Sequence, residues 1–102
     1  MIINDKIKKE DLESPFTKAV ADIKKKTLSL GCELHSDCAD ELIRNDSKGS
    51  DLWGFNIYPD GHLDFVSLIN IRPAVGNRSM EIKDKEICQK IEEIVRKFLS
   101  PA

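Results

Sequence analysis

At 102 residues, with 40% hydrophobic and 33% charged content, the chain is sized for one domain (residues 1–102) with one core. The net charge of −2 is unevenly spread: residues 31–64 hold two basic and eight acidic side chains, whereas residues 1–30 and 65–102 each hold seven basic and five acidic ones. The lack of a basic stripe argues against nucleic acid as a partner, and no apolar run reaches the roughly 18 residues that would span a membrane.

Residues 1–13 open with Ile2-Ile3 and continue as a charged stretch, suited to an edge strand or a loose turn. Ser14 then offers a helix cap and Pro15 a first helical position. Phe16, Ala19, Val20, Ile23 and Thr27 follow at helical spacing, and Lys24–Lys26 suit a last turn facing the helix dipole. The expectation is an N-terminal helix. Leu28 to His35 alternates with period two and predicts a half-buried strand, with Leu28, Leu30, Cys32 and Leu34 on one side and Glu33 and His35 on the other.

Ser36 to Ser50 admits two readings. Asp37 can cap a short helix with Ala39, Leu42 and Ile43 inward, or Asp40–Asn45 can form a strand. The Asn45-Asp46-Ser47-Lys48-Gly49-Ser50 turn composition favours the strand.

Asp51 to Arg72 predicts a long β-hairpin around Tyr58-Pro59-Asp60-Gly61-His62. Pro59 presets a type I turn and Gly61 takes the left-handed position of a bulge, so paired residue numbers sum to 120. That register puts Trp53, Phe55, Ile57, Leu63, Phe65, Ile69 and Ile71 on one face. The other face carries Asn56, Tyr58, His62, Asp64 and Asn70 with Leu52, Val66 and Leu68. Residues 73–79 are loop by composition. A C-terminal helix begins near Asp84, buries Ile87, Ile91, Ile94, Val95 and Phe98, carries Glu92–Arg96 and Glu93–Lys97 pairs, and ends before Pro101. The sum is an α+β two-layer sandwich: an antiparallel sheet of three or four strands with an N-terminal and a C-terminal helix packed on one face.

Gly31-Cys32-Glu33-Leu34-His35, Asp51-Leu52-Trp53-Gly54, Tyr58-Pro59, Asn70-Ile71-Arg72-Pro73 and Gly76-Asn77-Arg78-Ser79 together resemble a family of short prokaryotic proteins catalogued as a domain of unknown function. The resemblance spans roughly residues 31–79. It implies a small cytoplasmic prokaryotic protein and brings no mechanism with it.

The three cysteines, Cys32, Cys38 and Cys88, form no disulfide framework, and no secretory leader precedes them. Reduced thiols in a cytoplasmic protein are the expectation. Cys32-x-x-His35-x-x-Cys38 has the look of a zinc run. On the inferred strand, however, Cys32 faces the leucines and His35 faces away, so no metal is expected and Cys32 reads as a small core hydrophobe.

Two polar groups remain. If the strand through His35 runs beside the Pro59–Gly61 turn, Glu33, His35 and His62 form an acid–base group, the candidate catalytic set. At the opposite end, Arg72, Asn77, Arg78 and Ser79 suit a phosphate or carboxylate, unless the arginines merely tie down their loop. Ten strand residues at ~3.3 Å each would separate His62 from Arg72 by on the order of 30 Å, too far for one site.

No nucleophile motif, phosphate loop or dinucleotide fingerprint is present, and no cofactor is expected. The leading expectation is a binding or interaction protein that holds a small anionic ligand or a protein partner. A small hydrolase using the Glu/His group is the second. The third is a regulatory partner in a two-protein unit, or a homodimer, joined through Leu52, Val66 and Leu68.

Overall fold

The computed structural model describes residues 1–99, and the strand at its centre begins where a helix was expected. Thr17–Asp22 forms β1, which pairs antiparallel with β2 (Thr27–Leu30) on one side and β3 (Leu52–Ile57) on the other. The fourth strand, β4 (Leu63–Asp64), extends the order to β2-β1-β3-β4. The helix expected from Ser14 is thus corrected to a strand. β1 is covered on both faces, so Ala19-Val20-Ala21 forms a continuous apolar run, all 0% exposed. Such a run carries no period that separates strand from helix. The lysines meant for a last helical turn sit in the β1–β2 turn, where Lys26 is left-handed and the buried Asp22 carboxylate accepts from the Lys24 and Lys25 amides.

β2 ends at Leu30, because Gly31 turns with φ +81° and donates its amide to the Lys18 carbonyl. The expected strand to His35 therefore stops early. His35–Arg44 is helix α1, which corrects the preferred strand in favour of the helical alternative, although Leu34, not Asp37, holds the cap position and Ile43, expected inward, is exposed. Cys38 and Leu42, one turn apart, face the sheet. The Asn45-Asp46-Ser47 turn closes the end of α1: Asp46 is left-handed, and the Asn45 and Ser47 amides both donate to the Leu42 carbonyl. Turn composition marked where the element stops, not what it is.

The Tyr58–His62 turn forms as expected. The Gly61 amide donates to the Tyr58 carbonyl and the Tyr58 amide to the His62 carbonyl, Gly61 has φ +94°, and Asn56↔Asp64 and Ile57↔Leu63 keep the register. The long hairpin beyond it does not form. Val66 bridges Glu81, and Leu68–Asn70 is a 3₁₀ turn. The Asn70 carboxamide instead substitutes for a strand: its Oδ1 accepts from the Gly54 amide and its Nδ2 donates to the Gly54 carbonyl, both at 2.8 Å. Gly54 permits this approach, since a Cβ there would stand 2.7 Å from the Cβ and Oγ of Ser67.

Helix α2 (Lys85–Phe98) agrees with the sequence: Asp84 caps it through the Glu86 and Ile87 amides, and Ile91, Ile94, Val95 and Phe98 are buried. Glu92 and Arg96 approach to 4.0 Å, and Pro101 lies outside the described residues. α2 packs on the sheet face made by Ala19, Ala21, Leu28, Leu30, Trp53, Phe55 and Ile57. α1 packs on the opposite face, over Val20 and Leu52. The class is α+β with a four-stranded antiparallel sheet, but the helices take opposite faces, not one. Leu52, expected among the exposed residues, is 1% exposed under α1. Ile69 packs on the α1 side and Ile71 is exposed, so neither joins the Trp53 face.

The β2 edge of the sheet is also covered. Ile2 bridges Ser29, the Ile3 amide donates to the Leu28 carbonyl, and the Leu30 amide donates to the Met1 carbonyl, so residues 1–3 line the outer side of β2. Among the described residues no helix is long and apolar enough to cross a membrane.

Candidate functional site

After Gly31 the chain crosses the sheet and enters α1 with Leu34 at the cap position. Leu34 has no side-chain oxygen, so the first amides of α1 receive no side-chain cap. His35 occupies the first helical position and lays its ring against β3, with Nε2 2.9 Å from the Phe55 carbonyl oxygen. A carbonyl only accepts, so Nε2 carries the proton and the neutral ring presents Nδ1 as an acceptor. Burial pulls the His35 pKa below the ordinary histidine value. The Phe55 carbonyl and the neighbouring Asn56 carboxamide oppose that shift, and Lys18 adds to it.

Lys18 and Asn56 are cross-strand partners on this face. The Lys18 Nζ donates to the Glu33 carbonyl at 2.6 Å. Asn56 is 8% exposed, and its Oδ1 is sealed from solvent without a hydrogen-bond partner among the described residues. The one N–H of the neutral His35 ring is already directed at Phe55, which leaves Asn56 unsatisfied despite its proximity. These groups floor a cavity of about 460 Å³, walled by Phe16, Leu34, Val66, Leu68, Ile69 and Met80. Its rim is apolar and open: Leu34 is 57% and Leu68 71% exposed.

The other two members of the expected acid–base group stand elsewhere. The Glu33 side chain is exposed, and only its carbonyl takes part, through Lys18. His62 stacks on Tyr58 with ring centroids 4.2 Å apart and places Nδ1 2.6 Å from Asp60 Oδ1. The hydrogen bonds from His62 hold the Asp60 carboxyl below its usual range. His62 lines a separate cavity against Glu92, Val95 and Arg96 of α2, on the opposite face of the sheet from His35. The structure does not bring Glu33, His35 and His62 together.

The Arg72–Ser79 loop is arranged as a brace. Arg72 donates through Nε to the Ile69 carbonyl, through Nη1 to the Ser50 carbonyl and through Nη2 to the Leu52 carbonyl, and its guanidinium lies 4.3 Å from the Trp53 ring centroid. Burial lowers its pKa. Asn77 is 5% exposed; its Nδ2 faces the Asn70, Ser79 and Glu81 carbonyls, and its Oδ1 accepts from the Lys83 amide. Ser79 Oγ donates to the Glu81 carbonyl, and Arg78 is exposed. Arg72 and Asn77 border a cavity of about 330 Å³ with Trp53 and Lys83, but all three Arg72 side-chain nitrogens and both ends of the Asn77 carboxamide already bond to the chain. Arg78 and Ser79 do not line it.

Residues 1–98 match the model of a family described as Protein of unknown function (DUF5674). The chain belongs to this family. No curated protein and no solved structure matches it.

In this DUF5674 chain the cysteines correct the sequence expectation. Cys32 does not sit among the leucines of β2: it is joined to Cys38 by a disulfide, and both lie on the α1 side of the sheet, opposite Leu28 and Leu30. Cys88 is free and half-buried in α2. Burial, then the nearby Glu92, Asp84 and Glu81 charges, raise its pKa. Among the described residues no three His, Cys, Asp or Glu side chains are grouped to hold a metal ion. The sequence marked His35 by its chemistry and put Asn56 on the polar hairpin face of the same candidate group, but Lys18, assigned to a helix, was missed. The signal for Lys18 was its pairing with Asn56, visible only once Thr17–Asp22 is read as a strand.

Proposed function

We propose that this protein binds a small organic anion with an apolar body in the groove at the start of α1. The carrying observation is the Asn56 carboxamide, more than nine-tenths buried on the groove floor with its Oδ1 unpartnered. A buried acceptor left unsatisfied costs about 1–3 kcal/mol, which a ligand N–H or O–H recovers once the groove side chains over Oδ1 move aside. The uncapped amides of α1 and the Lys18 ammonium favour negative charge beside it. Leu34, Leu68 and Met80 supply apolar wall for the rest of the ligand.

An N-acylated apolar amino acid meets all three requirements. Titration with N-acetylleucine, followed by amide NMR, should move the His35 and Ser36 amides and the Asn56 side-chain signals at millimolar concentrations. 4-Methylpentanoate, which has the carboxylate and the branch but no N–H, should bind more weakly. Equal binding of the two, or no shift with either, removes this reading. The cytoplasmic, prokaryotic setting implied by the motifs belongs to the same proposal. A homodimer joined through the Leu34/Leu68 rim is the competing occupant, and sedimentation across a concentration series tests it: a dimer that N-acetylleucine does not dissociate would displace the ligand reading.

A further inference from the structure

The Cys32–Cys38 disulfide closes a ring that contains Leu34, His35 and Ser36, three residues lining the groove. Its two sulfurs differ in access. Cys32 keeps part of its surface in solvent, whereas Cys38 is 0% exposed, at the end of the first turn of α1 against Val20, Leu42 and Leu52. An incoming thiolate therefore reaches Cys32 Sγ, and Cys38 is the leaving sulfur, on the N-terminal side of a helix, where developing negative charge is favoured.

We propose that Cys32–Cys38 is a reversible redox centre, exchanged by a dithiol reductant, whose state sets the affinity of the groove. The coupling rests on the groove being the ligand site; the redox centre itself does not. In the first step a thiolate of the dithiol attacks Cys32 Sγ, the Cys32–Cys38 bond breaks, and Cys38 leaves as a thiolate. The second thiol of the reductant, as thiolate, then attacks the mixed disulfide at the reductant's own sulfur and releases Cys32. Two electrons and two protons pass to the protein, and the reductant becomes a disulfide.

Once the ring opens, residues 32–34 are held by fewer constraints. The amide of Gly31 on the Lys18 carbonyl, the Lys18 ammonium on the Glu33 carbonyl and the His35 ring on the Phe55 carbonyl remain. Those bonds compete with water, whereas the covalent ring did not, so the groove wall at Leu34 loosens. Reduction weakens ligand binding by this route.

The test uses the folded chain with Cys88→Ser, which removes the one other thiol. After equilibration in mixtures of reduced and oxidised dithiothreitol, alkylation and mass spectrometry should report one two-electron transition in folded protein, with Cys32 labelled before Cys38. Hydrogen exchange at residues 33–37 should quicken about tenfold on reduction while residues 52–57 stay unchanged, and N-acetylleucine affinity should fall by about tenfold. A pair that is reduced only when the chain unfolds, or reduction that leaves exchange at 33–37 unaltered, overturns the redox centre. If N-acetylleucine binds neither state, the groove reading fails while labelling and exchange still decide the redox one. If it binds both states equally, the coupling is wrong and the ligand site stands.

Discussion

The Arg72–Asn77 loop and the entrance to α1 are both rich in polar side chains, and they use them oppositely. In the loop nearly every donor is aimed at a carbonyl of the chain: Arg72 at three, Asn77 at three more, with Asn70 bonded to both sides of Gly54. At the entrance to α1 the helix amides have no side-chain cap, and Asn56 Oδ1 has no partner among the described residues. Residue type alone would rank the two regions alike. The count of unfinished hydrogen bonds separates a brace from a site.

Breaking the brace should give the largest effect. Asn70→Ala leaves the Gly54 N–H and C=O without partners at a fully buried position and should cost about 3 kcal/mol or more in a urea melt. A loss under about 1 kcal/mol would mean the turn at Leu68–Asn70 holds itself. Arg72→Lys is smaller: an ammonium cannot span three carbonyls and stack on Trp53, so about 1–2 kcal/mol should be lost in chloride and sulfate alike. If sulfate specifically raises the wild-type Tm, and Arg72→Lys abolishes that increment, the loop is an anion site and the contrast collapses.

His35 sharpens the other side of the comparison. Its folded pKa lies below its unfolded value of 6.5, chiefly through burial. Between those two values the unfolded chain binds the extra proton, so stability should rise with pH through that window and level off above it. His35→Gln should flatten this part of the profile, read from melts between about pH 5 and pH 8. A stability that instead falls as pH rises through this range would mean a charged ring with both nitrogens satisfied. The smallest stability change belongs to Asn56→Ala: relief of an unsatisfied buried acceptor offsets the packing lost at a residue only 8% exposed, so folding should shift by less than about 0.5 kcal/mol. The same substitution should abolish N-acetylleucine binding. A loss of folding stability near that of Asn70→Ala would show Asn56 to be structural as well.

The legible parts of the sequence were those governed by local chemistry. The Pro59–Gly61 turn and its register, and α2 with its Asp84 cap, follow from neighbouring residues alone. β1 was illegible because a strand buried on both faces carries no alternation, and its loss displaced Lys18 from the groove. β4 stops at Asp64 because the Asn70 side chain takes the place of a strand, a contact sixteen residues from Gly54 that no period records. His35 stood out by type, and Asn56 by its place on the polar hairpin face. That Asn56 Oδ1 lacks a partner among the described residues could not be read, since an amide without a partner looks the same in sequence as one with three.

The covered stretches of the sheet edges bear on how the protein keeps company. Residues 1–3 run along β2, while the Asn70 carboxamide takes the edge of β3 at Gly54 and Val66 bridges Glu81 just past the end of β4. Exposed backbone of this kind is what lets extended chains add on and grow into fibrils. Here the short segments at either side act as permanent bookends. Lesions in residues 1–3 would bare the outer side of β2, and they should show as turbidity before they show as a lowered melting point.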